Sequence, residues 1–369
     1  MSDLTIGILS ALLATNQPAA ISNVIQQQTG ITVPVTDPND PTEKELRAVM
    51  IEDDAALAEV NDWITTNTIP QTNKVARAGF QAQISQRFDV VKSDYDHFLR
   101  NHPDSARGFL AYGSFLNDIG DEEGAATEYE NSRQLDPKNP AVWNNLANYY
   151  GEFGPVTNAF VDYAEAIRLD PTEPVYYQNF ATTVYLFRKD VKEFYHINEQ
   201  QTFDKALGLY QQAIKLSPDN LVLATDYAES YYGIRPLRTN DALMAWTNAL
   251  NLTHNDDERE GILVHLTRIK IAAGYFDEAQ AQLDMITNPA YADLKKRLER
   301  SLKEHKYPTT NSAEETPPGG ANSTTNRGMA PANEQVVENM AAVRTNVPPA
   351  PPGSSVMSSN LLSSPISLR

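Results

Sequence analysis

Apolar residues recur at helical spacing through the middle of the chain, and large ones alternate with small ones. In the best-defined stretch, Trp143, Leu146 and Tyr150 follow the spacing i, i+3, i+7, which places them on one face of a helix. Small residues such as Ala147 and Ala159 let two helices approach closely. The pattern predicts paired helices that share a core, with Trp143 as an anchor of that core.

Helix-breaking residues divide this pattern into units of constant length. Pro103, Pro137 and Pro171 recur at a constant spacing of about 34 residues, and each ends a helical segment. The next such proline, Pro218, follows after a longer interval, so its unit carries an insertion. Asn139 and Pro140 supply an N-cap and a first helical residue between two units. A constant period of this size indicates stacked helix–turn–helix repeats.

The repeated unit resembles the tetratricopeptide (TPR) superfamily, whose repeat is about 34 residues long. The resemblance covers about 230 residues, and it implies an all-α fold: a right-handed superhelix of about six helix–turn–helix repeats. Residues 1–305 as a whole also resemble a bacterial TPR family to which no activity is assigned. The unit ending at Pro171 matches the TPR pattern at Trp143, Leu146, Ala147, Tyr150, Gly154, Ala159, Tyr163, Ala166 and Pro171.

The period also predicts the domain boundaries. An N-terminal helical extension is expected at residues 1–71 and the TPR solenoid at 72–305. Residues 306–369 are rich in Pro, Gly, Ser, Thr and Asn and are predicted to be disordered, because they cannot bury enough apolar surface to offset ordering entropy. The predicted repeats are 72–105, 106–139, 140–173, 174–220 with the insertion, 221–256 and 257–289, followed by a capping helix at 290–305.

The extension itself is predicted to contain four segments. Its start is predicted to be a short helix capped by Asp3, because no basic region precedes the apolar run as in a signal peptide. A helix at 18–28 and extended chain at 31–36 follow. A capping box at 40–43 then opens a helix that runs to about Trp63 and packs on the first repeat. A cytoplasmic location is expected, or a periplasmic one if a signal peptide has been removed.

Composition disfavours several classes of function. The net charge of −18 opposes binding to nucleic acid and to anionic lipid. The chain has no cysteine, its histidines follow no metal-ligand spacing and it has no glycine-rich phosphate loop. No apolar run reaches the roughly 18 residues needed to span a bilayer. We therefore expect no catalytic activity, cofactor, metal or small-molecule substrate, and a protein or peptide as partner.

The first candidate binding surface belongs to the first helix of each repeat, here called the A helix; the second is the B helix. Asn145 and Asn179 share one repeat position, so their amides are expected to grip the backbone of an extended peptide at successive points. The alternative is a solvated polar face. From the TPR resemblance, the residues expected at the groove or its edge are Arg107, Ser114, Asn117, Asn144, Asn145, Asn148, Asn179, Thr182, Asp226 and Glu229.

The second candidate is the insertion at 187–199. Its apolar residues keep the helical phase of the preceding A helix, so that helix is expected to run on for several turns and protrude. A protruding aromatic and basic segment suits an interface. The alternative is a long helix that packs on its neighbour. The basic residues of the insertion are Arg188, Lys189 and Lys192, of which Arg188 and Lys192 are predicted to contact a partner.

The third candidate is a weakly amphipathic island at 332–346, which could fold on a partner. Together these features predict a scaffold or adaptor that binds a protein or extended peptide in its concave groove. The alternative, from a different class, is a structural subunit of an envelope or secretion assembly that associates with itself through the ends of the solenoid.

Overall fold

A computed structural model describes residues 40–67 and 73–307, and these form 14 α-helices and two short 3-10 helices without any strand. The chain divides into two compact units between Leu216 and Ser217. The all-α prediction is confirmed for the described residues. The segments predicted at 1–39, the disordered tail after 307 and the island at 332–346 lie outside them.

The first unit is built from antiparallel helical hairpins. Its helices are α1 (Pro41–Thr66), α2 (Lys74–Asn101), α3 (Ala106–Asp118), α4 (Glu122–Leu135), α5 (Pro140–Phe153), α6 (Val156–Leu169), α7 (Pro174–Leu186), α8 (Arg188–Tyr195) and α9 (Glu199–Leu216). The A helices α3, α5 and α7 begin at Ala106, Pro140 and Pro174, so the constant period predicted from the prolines is present in the structure.

The three A helices begin at equivalent N-cap residues. The side chains of Ser105, Asn139 and Glu173 each accept a hydrogen bond from a backbone N–H in the first turn, at 3.1, 3.1 and 3.2 Å. Pro140 and Pro174 occupy the first helical position, where a missing N–H costs nothing. The period of the repeat is therefore set by local backbone chemistry as well as by packing.

Buried tyrosines on the B helices repeat with the same period and fill the space between hairpins. Tyr95, Tyr129 and Tyr163 occupy the same position in successive hairpins, and all are at most 4% exposed. Close approach of the paired helices requires small residues opposite these rings. At Gly113, an added Cβ would lie 2.7 Å from the ring of Tyr129. The equivalent residue in the next repeat, Ala147, is fully buried.

Residues 72–105 do not form a repeat of their own, which corrects the predicted boundary. They contain a single helix, α2, and its hairpin partner is α1 of the predicted extension. At Gln86, where the later repeats have the glycine of their turn, neither glycine nor proline interrupts the helix. Arg87 joins the two helices through ion pairs with Glu52 and Glu59 at 2.8 and 2.7 Å.

The insertion does not extend the A helix, contrary to the prediction. Helix α7 ends at Leu186, and Phe187 (φ −101°, ψ 42°) separates it from the short helix α8. Helix α8 folds back, with Phe194 and Tyr195 ring centroids 5.5 and 6.0 Å from that of Phe160 on α6. Its apolar phase therefore serves packing on a neighbouring helix, although in a short separate helix and not in the long helix of the alternative expectation.

Trp143 is not a core anchor, which corrects a second expectation. It is half-buried, and its indole N–H donates to the backbone carbonyl of Pro137 at 2.9 Å. Tyr177, one period later, makes the equivalent bond from its hydroxyl to Pro171 at 3.2 Å. Leu146 provides the fully buried contact that was expected of Trp143. Both rings carry a polar N–H or O–H group, and this group bonds a backbone carbonyl in the turn that precedes the helix.

The second unit contains two further hairpins and a terminal helix. Its helices are α10 (Leu221–Ser230), α11 (Thr239–Asn251), α12 (Asp256–Ala273), α13 (Phe276–Met285) and α14 (Ala292–Lys306), with 3-10 helices at Tyr231–Gly233 and Pro289–Tyr291. Gly274 ends α12 in the left-handed region at φ 81°, a conformation that glycine adopts without a Cβ penalty. Trp246 replaces the buried tyrosine of the first-unit B helices.

Candidate protein-binding surface

A connected row of polar side chains crosses the first unit from α3 to α7, and we call it the polar seam. It joins A helices to B helices at each repeat, because the buried tyrosines of α4 and α6 hydrogen bond polar side chains of the A helices. Its members are Ser114 on α3, Tyr129 on α4, Asn144, Asn145 and Asn148 on α5, Tyr163 on α6, and Asn179 and Thr183 on α7.

The seam begins at Tyr129 and crosses two repeats through asparagine side chains. Burial raises the pKa of Tyr129, and hydrogen bonds from Ser114 and Asn145 oppose that rise. The amide of Asn144 donates to Asn145 at 3.3 Å, and the amide of Asn179 donates to Asn144 at 3.1 Å. These bonds connect α5 to α7 directly. Asn179, one of the two asparagines predicted to bind a peptide, therefore holds adjacent repeats together.

A second branch of the seam is centred on Tyr163. The hydroxyl of this fully buried ring donates to Oδ1 of Asn148 at 2.7 Å. The hydroxyl of Thr183 lies 3.3 Å from the Tyr163 hydroxyl. In the next repeat the Tyr210 hydroxyl lies 2.8 Å from that of Thr182. Buried tyrosine hydroxyls thus fix polar side chains of the A helices at successive repeats.

The structure separates the residues that were expected to line one peptide-binding face. Asn144 and Asn179 are both 6% exposed and are therefore unable to present their amides to a ligand together with Asn145. Asn179 was expected to contact a peptide, and this expectation is wrong, because its amide donates a hydrogen bond to α5 and is buried between the helices. Asn145, Asn148 and Thr182 are half-buried and Asn117 is exposed, so these residues form the accessible part of the surface.

The predicted cationic contacts take part in interactions within the chain. Arg107 forms an ion pair with Glu43 of α1, and burial lowers the pKa of its guanidinium. The Arg188 guanidinium lies 5.0 Å from the Tyr185 ring and 5.3 Å from the Phe203 ring. Lys192 lies 3.6 Å from Glu199. Asp226 and Glu229 lie on α10 of the second unit and are half-buried.

An open crevice that the sequence pattern did not predict lies between α2, α3 and α4, and we call it the first crevice. Its volume is about 460 Å³. Leu99, Phe109 and Tyr112 form its apolar floor, and Asp96 and Glu128 supply carboxylates from the two flanking B helices. Asn131 and Arg100 complete its lining, and the amide of Asn131 donates to Glu128 at 2.9 Å. The site combines aromatic surface with negative charge.

One period later, the equivalent place between α4, α5 and α6, which we call the second crevice, holds an arginine of the chain itself. The Arg133 guanidinium is 2.6 Å from Glu130 and 4.8 Å from the centre of the Trp143 ring. The positive charge of Arg133 also acts on Asp162, which is only 5% exposed. The residues that correspond in the two crevices, one repeat period apart, are Asp96 and Glu130, Leu99 and Arg133, Phe109 and Trp143, and Glu128 and Asp162.

Comparison with known proteins finds distant structural similarities and carries no functional assignment. The sequence matches no protein-family model and no curated protein. Similar solved structures include the C-terminal part of a TPR protein from Cytophaga hutchinsonii (14% identity, 70% of this chain, 99% of that chain, TM-score 0.47). Others are Pseudomonas aeruginosa PilF (14%, 69%, 99%, 0.44) and YrrB, a TPR protein with an unusual peptide-binding site (13%, 56%, 97%, 0.44).

The hairpins have the TPR architecture. Their A helices begin at a constant period, at Ala106, Pro140 and Pro174, and the buried tyrosines and alanines between the helices repeat with the same period. Among the described residues, no helix is long and apolar enough to cross a membrane. Within the same ranges, no group of three or more histidine or acidic side chains is arranged to hold a metal ion.

Burial disfavours the charged form of one carboxylate in each crevice, Glu128 in the first and Asp162 in the second. Burial raises the pKa of Glu128, and the nearby charge of Asp96 adds to this rise. Burial raises the pKa of Asp162 to about 6, although the positive charge of Arg133 opposes the shift. A cation in either crevice therefore stabilises the charged form of these carboxylates. Arg133 is such a cation in the second crevice.

The second unit contains a separate aromatic cluster around His265. The imidazole stacks on Trp246, with ring centroids 4.2 Å apart and planes at 14°. The Tyr232 hydroxyl lies 3.0 Å from Nδ1 of His265. Enclosure between these rings lowers the pKa of His265 to about 3, and the charge of Arg268 contributes. The cluster is a packing arrangement that keeps the histidine neutral.

Proposed function

We propose that this protein is a non-enzymatic scaffold that binds an extended segment of a partner protein along the A-helix side of its first unit. The observation that carries this proposal is the arrangement at Asn148. Tyr163 fixes the side chain by donating to Oδ1 at 2.7 Å, while no hydrogen bond to the described residues uses the amide nitrogen. An oriented amide donor of this kind can bond a backbone carbonyl of a bound chain.

Preorganisation supports the same proposal. Association costs free energy for every side chain that must be ordered at the interface, about 0.5–1.5 kcal/mol for each flexible one. Asn148 and Thr182 are already held by Tyr163 and Tyr210, both of which are buried. The partner therefore bears most of the ordering cost, which suits binding of a segment that is unstructured when free.

Peptides selected from a random displayed library on the full chain test this proposal. The informative variant is Asn148→Asp, which keeps the acceptor for Tyr163 and removes the amide donors. Selected peptides should bind this variant about tenfold more weakly, the effect of losing one or two hydrogen bonds. The matched control is Asn158→Asp, the same change at an exposed residue of α6, which should leave affinity unchanged.

Two outcomes would contradict the proposal. In the first, selected peptides bind Asn148→Asp as tightly as the parent chain, which would place their site elsewhere. In the second, light scattering after size exclusion shows that the chain alone forms large assemblies, while no peptide binds. That result would favour the structural-subunit alternative, because an adaptor without its partner should be monomeric.

A further inference from the structure

We infer that the first crevice, between α2, α3 and α4, is a binding site for an arginine side chain of a partner protein. The inference rests on the proposed scaffold function and gives it a second, chemically defined contact. The second crevice supplies the internal precedent, because it has the same construction and holds Arg133 of the chain itself. At the position of Arg133 the first crevice has Leu99, which leaves its space open.

The residues that surround Arg133 have counterparts in the open crevice. Arg133 pairs with Glu130 and lies over Trp143, and the counterparts of these residues are Asp96 and Phe109. Glu128 replaces Asp162 on the opposite B helix. A guanidinium that entered the first crevice would therefore meet two carboxylates and an aromatic face, which are the groups that bind arginine most strongly in proteins.

Charge complementarity favours a cation over other occupants. Tyr112 hydrogen bonds Asp96 and Asn131 donates to Glu128, so both carboxylates are held at the crevice wall. An aliphatic side chain would leave their negative charges without a cation, and an acidic one would be repelled. Arg100 is exposed at the rim and competes electrostatically with an incoming arginine. Planar guanidinium matches carboxylate and ring geometry better than an ammonium group does.

The probe is a fluorescent Gly-Arg-Gly-Arg-Gly peptide, titrated with the full chain and followed by anisotropy. Its control is the same peptide with citrulline, a neutral analogue of similar shape, in place of arginine. The arginine peptide should bind at least tenfold more tightly, a difference of about 1.4 kcal/mol, and raised salt should weaken it. Equal binding of the two peptides would overturn the inference.

Variants of the crevice separate a specific site from general attraction to an acidic protein. Leu99→Arg should fill the crevice as Arg133 fills the next one and abolish binding, whereas Leu99→Met should retain it. Asp96→Asn with Glu128→Gln should weaken binding at least tenfold. The matched control is Asp89→Asn with Glu123→Gln, which removes two exposed carboxylates from the same helices. Arg100→Ala should strengthen binding about threefold.

The two proposals can fail independently. If library-selected peptides depend on Asn148 but the arginine peptide ignores Leu99→Arg, only the crevice assignment is wrong. If Asp89→Asn with Glu123→Gln weakens the arginine peptide as much as the crevice pair does, binding is nonspecific attraction and the inference fails. If the arginine peptide depends on the crevice while selected peptides ignore Asn148, the scaffold binds through this face instead of the polar seam.

Discussion

Asn179 on α7 donates a 3.1 Å hydrogen bond to Asn144 on α5, and the two buried side chains thereby connect adjacent A helices. Both residues were expected to line the ligand groove, but their geometry makes them part of the interface between repeats. Nearest-neighbour interfaces carry much of the stability of repeat proteins, so a polar bond at this place affects how firmly two hairpins stack.

The first prediction is that Asn179→Ala destabilises the chain. Removal of the donor leaves Oδ1 of buried Asn144 without its partner on α7, which should cost about 1–3 kcal/mol of unfolding free energy. Urea denaturation followed by circular dichroism measures the change. Asn158→Ala, at an exposed site, should stay within about 0.5 kcal/mol. Equal stability of the two variants would show that the buried bond has no net value.

The second prediction compares two arginines that each pair with a glutamate three residues earlier on the helix. Arg133→Ala should destabilise the chain by about 1–3 kcal/mol, because it leaves the buried Asp162 carboxylate without a nearby cation. Arg168→Ala breaks a more exposed pair and should change stability by less than about 0.5 kcal/mol. If Asp162→Asn does not reduce the effect of Arg133→Ala, the two residues are not coupled.

The third prediction concerns pH and Asp53, which accepts a 2.8 Å hydrogen bond from Tyr95. Burial chiefly, with repulsion from Asp54 and Asp118, raises the pKa of Asp53 to about 7 from an ordinary value of 3.8. Between these values the folded chain holds a proton that the unfolded chain releases, so stability falls as pH rises. Asp53→Asn should match the parent chain at pH 4 and exceed its stability at pH 7.5.

The measurement for Asp53→Asn is thermal unfolding at several pH values. Asp62→Asn, an exposed change on the same helix, controls for the loss of one negative charge. A pH-independent difference between Asp53→Asn and the parent chain would contradict the assigned titration.

The fourth prediction is that His265 stays neutral far below the usual range of histidine. With a pKa near 3, its ring-proton resonances should not shift between pH 8 and pH 5. Histidine-selective isotope labelling and NMR can follow this, and the exposed His305 serves as a reference within the same sample. Titration of His265 in the ordinary histidine range would mean that Trp246 and Tyr232 do not enclose the imidazole as the structure shows.

The helix boundaries of the repeats could be predicted because they depend on local chemistry. Asn139 with Pro140 and the periodic prolines set where helices begin and end, and the structure places α5 and α6 accordingly. The break at Phe187 gave no such signal, since no glycine or proline marks it and the apolar phase continues across it. Tertiary contacts with Phe160 decide the course of that segment.

Side-chain direction at the candidate site was less predictable than helix position. Asn145 and Asn179 share a repeat position, yet Asn145 is half-buried and Asn179 is buried, because the two side chains pack against different neighbours. The first crevice could have been found by comparing B helices at the repeat period, which pairs Asp96 with Glu130 and Glu128 with Asp162. Only the structure shows that Leu99 leaves this crevice open.

Photo-cross-linking of a library-selected peptide to the full chain tests the scaffold proposal most directly. A photoreactive residue at each peptide position in turn, followed by mass spectrometry, maps where the bound peptide lies. The proposal predicts cross-links to α5 and α7 near Asn148 and Thr182, and their loss in Asn148→Asp. Cross-links confined to the second unit, or unchanged in Asn148→Asp, would contradict binding along the polar seam.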